Sequence, residues 1–99
     1  MPNKNYVNGR AREYKVMREL EALGYKCFRT AGSHGIADVI AFLWKDGTEL
    51  PPIRMVQVKC GDSPYKKELE GFRKLKLPSN VQKEIWVFKN RQKEVIKVE

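Results

Sequence analysis

Gly35-Ile36-Ala37-Asp38-Val39-Ile40-Ala41-Phe42 and Met55-Val56-Gln57-Val58-Lys59-Cys60-Gly61 are the two segments whose reading decides the fold. Both are short, apolar and rich in β-branched residues, which predicts buried strands. Side chains alternate between the two faces of a strand. Asp38 therefore shares a face with Ile40, Phe42 and Trp44, and Gln57 and Lys59 share one with Ile53 and Met55. A carboxylate, a carboxamide and an ammonium each extend an apolar face. If the strands are neighbours, the three converge at one edge of the core. Oxygens of Asp38 and Gln57 suit a hard divalent cation such as Mg²⁺. A lysine beside it positions a water or offsets charge on a phosphate. Taken singly, each residue also reads as a strand end at the surface.

Upstream, residues 8–23 are expected to form a helix, with Asn8 as N-cap and Gly24 as the stop. Glu13, Val16, Met17, Leu20 and Gly24 fall on one face of it. A carboxylate within an apolar stripe is a third acidic group aimed at the same site, or a glutamate favoured by the helix dipole. Arg10, Arg12, Lys15 and Arg18 lie elsewhere around the helix, where they can meet phosphates. A short strand over 25–30, at or near a sheet edge, carries Arg29 near its end. Thr30-Ala31-Gly32-Ser33-His34-Gly35 then makes a small polar loop leading to Asp38. Its backbone N–H groups and hydroxyls suit a phosphate backbone at close range. Within it His34 reads as a loop residue near the ligand.

The rest of the chain fills out a sheet. Asp46-Gly47 marks a hairpin and Pro51-Pro52 closes it. A second helix is expected over 65–75, capped by Ser63 with Pro64 at its first position. It is strongly basic, and Lys66, Lys67 and Arg73 follow on the Lys59 strand as phosphate contacts. Strands over 84–88 and 94–98, joined by Asn90-Arg91-Gln92-Lys93, complete the order αβββαββ. Trp86 and Phe88 read as core or dimer contact rather than base-stacking platforms.

With 99 residues the chain makes one domain of modest core, which a dimer would supplement. A net charge of +8 points to a polyanionic partner, most often nucleic acid. No apolar run is long enough to span a bilayer, and the start does not resemble a signal peptide, so a cytoplasmic protein is expected. For a phage gene that would be the host cytoplasm. Two cysteines, Cys27 and Cys60, are expected as buried free thiols, and one histidine is too few for a Cys/His zinc site.

Glu13 on the first helix, Arg29-Thr30-Ala31-Gly32-Ser33, Asp38 and Gln57-Val58-Lys59 together resemble the archaeal-type Holliday junction resolvases of the PD-(D/E)XK nuclease superfamily. The resemblance covers residues 8–98, and the Arg-Thr-Ala-Gly-Ser loop followed by Asp is its most specific part. It implies a restriction-endonuclease-like α/β fold, a central mixed β-sheet flanked by helices. It also implies a homodimer that binds four-way DNA junctions and nicks two opposing strands with Mg²⁺ or Mn²⁺. No small-molecule cofactor and no membrane enter.

By this resemblance Glu13, Asp38 and Gln57 form the metal site, and Lys59 is the catalytic lysine. The backbone carbonyl near Val58 is a further expected metal ligand. Arg29, Arg10 and Ser33 match residues that touch the phosphate. Gln57 departs from the family, which usually has glutamate there, and it brings no negative charge. Three rivals stand beside this reading. One is a restriction or repair nuclease acting on duplex or flap DNA. A second is a non-catalytic DNA-junction-binding module, and a third a small basic RNA-binding protein.

Overall fold

The computed structural model describes residues 4–30, 37–43, 51–62 and 64–98, with side chains described from Arg10 onward. The elements follow the expected order: helix α1 (Lys4–Ala22), strands β1 (Lys26–Arg29), β2 (Val39–Phe42) and β3 (Ile53–Cys60), helix α2 (Lys66–Lys74), then β4 (Val81–Lys89) and β5 (Gln92–Val98). They build one mixed five-stranded sheet in the order β1-β2-β3-β4-β5. The β1-β2-β3 meander is antiparallel, β3 and β4 are parallel across the α2 crossover, and β5 returns antiparallel. The expected mixed sheet with two helices is therefore present. Among the described residues no helix is long and apolar enough to cross a membrane.

Alternation along the strands sorts the core into two layers. Val16 and Leu20 of α1 pack on Val39, Ala41, Val56, Val58, Trp86 and Phe88. Phe72 of α2 packs with Ile85, Val98 and Ala37, flanked by Ile40, Met55 and Leu69. The two helices thus cover opposite faces of the sheet. Trp86 and Phe88 are buried beneath α1, which makes them core residues.

Helix α1 starts at Lys4, so Asn8 lies inside it rather than capping it. Its end is as expected. Gly24 has φ +98°, its N–H donates to Glu21 O at 2.9 Å, and Tyr25 N–H donates to Leu20 O at 3.1 Å. This paired closure satisfies the last carbonyls and turns the chain into β1. β1 lies at the sheet edge, as expected.

Helix α2 takes Tyr65 as its N-cap, without a side-chain bond, so Pro64 stands before the cap rather than at the first helical position. The Ser63 cap, Trp44, the Asp46-Gly47 hairpin and the loop holding Ser33 and His34 lie outside the described residues. β4 and β5 are longer than expected: their turn is two residues, Asn90-Arg91, not four, and β4 begins at Val81 rather than Glu84.

One buried acid sits in the α1 layer. Glu84, fully buried, accepts two bonds from Arg54, at 2.9 and 2.7 Å, with further bonds from Gln82 and from Trp86 Nε1. A buried charge is tolerable when its lone pairs are filled in this way. The network pins the start of β3 to β4.

Candidate active site

Asp38 stands one residue before β2, not within the long strand expected, yet its backbone is held on both sides. Its N–H donates to Val56 O at 2.8 Å, and its carbonyl accepts from Thr30 N–H at 3.0 Å. Its side chain makes the decisive contact: Val58 N–H donates to Asp38 Oδ2 at 2.9 Å. β2 has not yet begun at this level, and the carboxylate takes the ladder bond that a β2 carbonyl would otherwise accept. Asp38 is thereby fixed against the Gln57-Val58-Lys59 segment at the edge of β3. In an extended strand the N–H and C=O of one residue point to the same side. The Val58 carbonyl therefore faces the same edge of β3 as Asp38.

Glu13 approaches from α1. Arg29 Nε donates to Glu13 Oε1 at 2.9 Å, and its Nη1 donates to the Tyr14 hydroxyl at 2.8 Å with the guanidinium over the Tyr14 ring. Burial pushes the Glu13 carboxyl above the ordinary glutamate range. The Asp38 charge adds to the rise and Arg29 opposes it. Burial likewise raises Asp38, despite the Val58 N–H bond and the Lys59 charge that favour its ionised form. Two half-buried carboxylates thus feel one another across the edge of the sheet. Cys60 lies in the same field, its thiol raised by burial and opposed by Arg12. Both cysteines are free and half-buried rather than buried.

Lys59 points to the α2 side of β3, where α2 supplies a partner that sequence reading missed. Its Nζ is 2.7 Å from Glu68 Oε1, with both side chains about three-quarters buried. Burial would raise Glu68, but the bond from Lys59 and its charge hold the carboxyl below the ordinary range. The signal was available: Tyr65, Glu68 and Phe72 fall at i, i+3 and i+7, which puts Glu68 in the apolar stripe as Glu13 is in its own.

The basic residues divide by position. Arg12 is half-buried, with its guanidinium over the Phe88 ring, while Arg10 is exposed on α1. Lys66 and Lys67 are exposed and line an open groove together with Glu68, beside the Lys59 pair. Arg73 is exposed two turns further along α2. The structure thus brings Asp38, Val58, Lys59, Glu13 and Arg29 to one end of β3, and Gln57 shares the face of Lys59.

Among the described residues no three His, Cys, Asp or Glu side chains form a ready-made metal cage. The donors at this end of β3 are all oxygen: the Asp38 and Glu13 carboxylates and the Val58 carbonyl, with the Gln57 carboxamide on the face that Lys59 shares. Two raised carboxylates repelling one another carry negative charge that a hard cation would relieve. The donor set therefore fits Mg²⁺ or Mn²⁺. No protein-family model matches the chain, and no curated protein is similar to it in sequence.

Proposed function

We propose that the chain is a Mg²⁺-dependent, structure-selective DNA endonuclease of the archaeal-type Holliday junction resolvase kind, with a restriction-endonuclease-like arrangement of its sheet and helices. The observation that carries this reading is the Val58 N–H to Asp38 Oδ2 bond. It sets the aspartate against the Gln-Val-Lys segment, with Glu13 and Arg29 beside it.

The residues divide the work of hydrolysing a phosphodiester. Asp38, Glu13, the Gln57 carboxamide and the Val58 carbonyl would hold the divalent cation. When bound, that cation offsets charge on the phosphate and makes a nearby water more acidic. Lys59 orients the water and stabilises the charge that builds on the phosphoryl oxygens. The water oxygen bonds to phosphorus as the P–O bond to the in-line ester oxygen breaks; the water gives its proton to solvent and the leaving oxygen takes one from solvent. Arg29, Arg10 and the α2 lysines hold the backbone, which positions DNA without reading its sequence. Junction choice comes from a homodimer that sets two such sites against opposing strands.

Gln57 favours a second reading. A carboxamide brings no charge, so the cation is held less firmly, and a protein that binds junctions without cutting them needs no more than the basic surface. One assay separates these: labelled four-way junction and matched linear duplex, each with and without Mg²⁺, beside Lys59→Ala. Paired Mg²⁺-dependent nicks in the junction alone, lost in the variant, establish the resolvase. Equal cutting of both DNAs makes the protein a general nuclease. Tight junction binding without cutting establishes the binding module.

A further inference from the structure

The end of the sheet that carries Lys59 carries a second basic feature outside the site described above. β3 and β4 run parallel with Lys59 opposite Val87 and Cys60 opposite Phe88, and Gly61 N–H donates to Phe88 O at 2.8 Å. The Asn90-Arg91 turn therefore projects from the same end as the candidate site, within roughly 10 Å along the strand direction. All residues from Lys89 to Glu94 are exposed.

The turn is built at a cost. Asn90 has φ 51° and Arg91 φ 62°, so both central residues are left-handed. Such a turn favours asparagine first and glycine second. An arginine in the second position strains the backbone, and backbone strain kept at an exposed charged residue points to a use for its side chain. The neighbouring cations are already neutralised: Lys89 pairs with Asp62, and Lys93 pairs with Glu19 at 2.6 Å. Among the described residues Arg91 has no acidic partner. Two more cations from α1, Arg12 and Lys15, lie over the Phe88 ring at 5.5 Å each, at the base of the hairpin.

We propose that the β4–β5 turn is a DNA clamp, in which the Arg91 guanidinium grips a backbone phosphate next to the one at the candidate site. A planar guanidinium can take two oxygens of one phosphate, which fits a single residue projecting from a rigid hairpin. The choice of DNA as partner rests on the endonuclease reading. The left-handed turn and the unneutralised charge do not.

The test is fluorescence anisotropy of labelled four-way junction and linear duplex without divalent cation, over a range of salt, with wild type, Arg91→Gly and Arg91→Lys. Arg91→Gly is expected to weaken binding about three- to tenfold and to reduce the slope of log affinity against log salt by about one. Its melting temperature is expected to rise, because glycine suits the turn, so lost affinity would not reflect a damaged fold. Arg91→Lys should retain part of the affinity. Unchanged affinity in Arg91→Gly, or a lower melting temperature, overturns the proposal. Cleavage is measured on the same samples with Mg²⁺. Wild type that binds but does not cut removes the endonuclease reading and leaves the clamp standing, whereas wild type that binds neither DNA removes both.

Discussion

Asp38 carries the highest stake of any single residue. Burial raises its carboxyl, so between the unfolded and folded values the native chain holds the proton more tightly than the unfolded one. Stability contributed there is lost as pH rises through that window. Asp38→Asn keeps an oxygen for the Val58 N–H and removes the repulsion with Glu13. The variant should melt higher than wild type at pH 7, and the difference should vanish as pH falls and Asp38 is protonated. Thermal melts at several pH values check this, and a lower melting temperature at pH 7 would refute the account of the site. The same variant should lose cleavage while binding DNA as well as wild type or better, because a charge facing phosphate is gone. Glu68 is the residue to change next. Glu68→Gln releases Lys59, so its modification by an amine-reactive reagent, read by mass spectrometry, should rise a few-fold. Duplex binding should tighten at low salt. No change in labelling would mean that the ion pair does not hold Lys59 in solution.

Each element ends where a particular residue ends it, and these ends show how far the sequence could be read. Gly24→Ala tests one of them. A Cβ at φ +98° is strained and would come 3.4 Å from Leu43 Cδ1. A loss of about 1–2 kcal/mol in urea unfolding is expected. The glycine was legible because its only task is local. The faces of β2 and β3 were legible too, since alternation places Asp38 and Lys59 without any tertiary knowledge. The start of α1 was not legible, because Asn3, Asn5 and Asn8 each offer a capping side chain and the sequence alone does not choose among them. The short β4–β5 turn was hidden for a different reason: Arg91 occupies the position where glycine would have announced it. Glu84 and Glu68 escaped because their partners, Arg54 and Lys59, come from elements 30 and 9 residues away along the chain. Only the folded register shows which buried acid meets which cation.

For the molecule as a whole, charge is the property on which the proposed DNA binding depends. A chain of net charge +8 with cations on α1, α2 and the β4–β5 turn should bind DNA with log affinity falling linearly in log salt. A slope of about −4 or steeper is expected from anisotropy titrations, and a flat response would point away from backbone recognition. The topology has a consequence for how the site comes into being. β3 is bordered by β2 on one side and by β4 on the other, and β4 arrives only after the α2 crossover. Synthesis proceeds from the amino end, so Glu13, Asp38, Gln57 and Lys59 are all made before the first residue of β4. Until residues 81–89 emerge from the ribosome, the strand bearing Gln57 and Lys59 has one bare edge and no Trp86 or Phe88 beneath α1. A nascent chain therefore holds every candidate residue but not the scaffold that aligns them, so whatever chemistry the proposed site performs waits for β4 to be made.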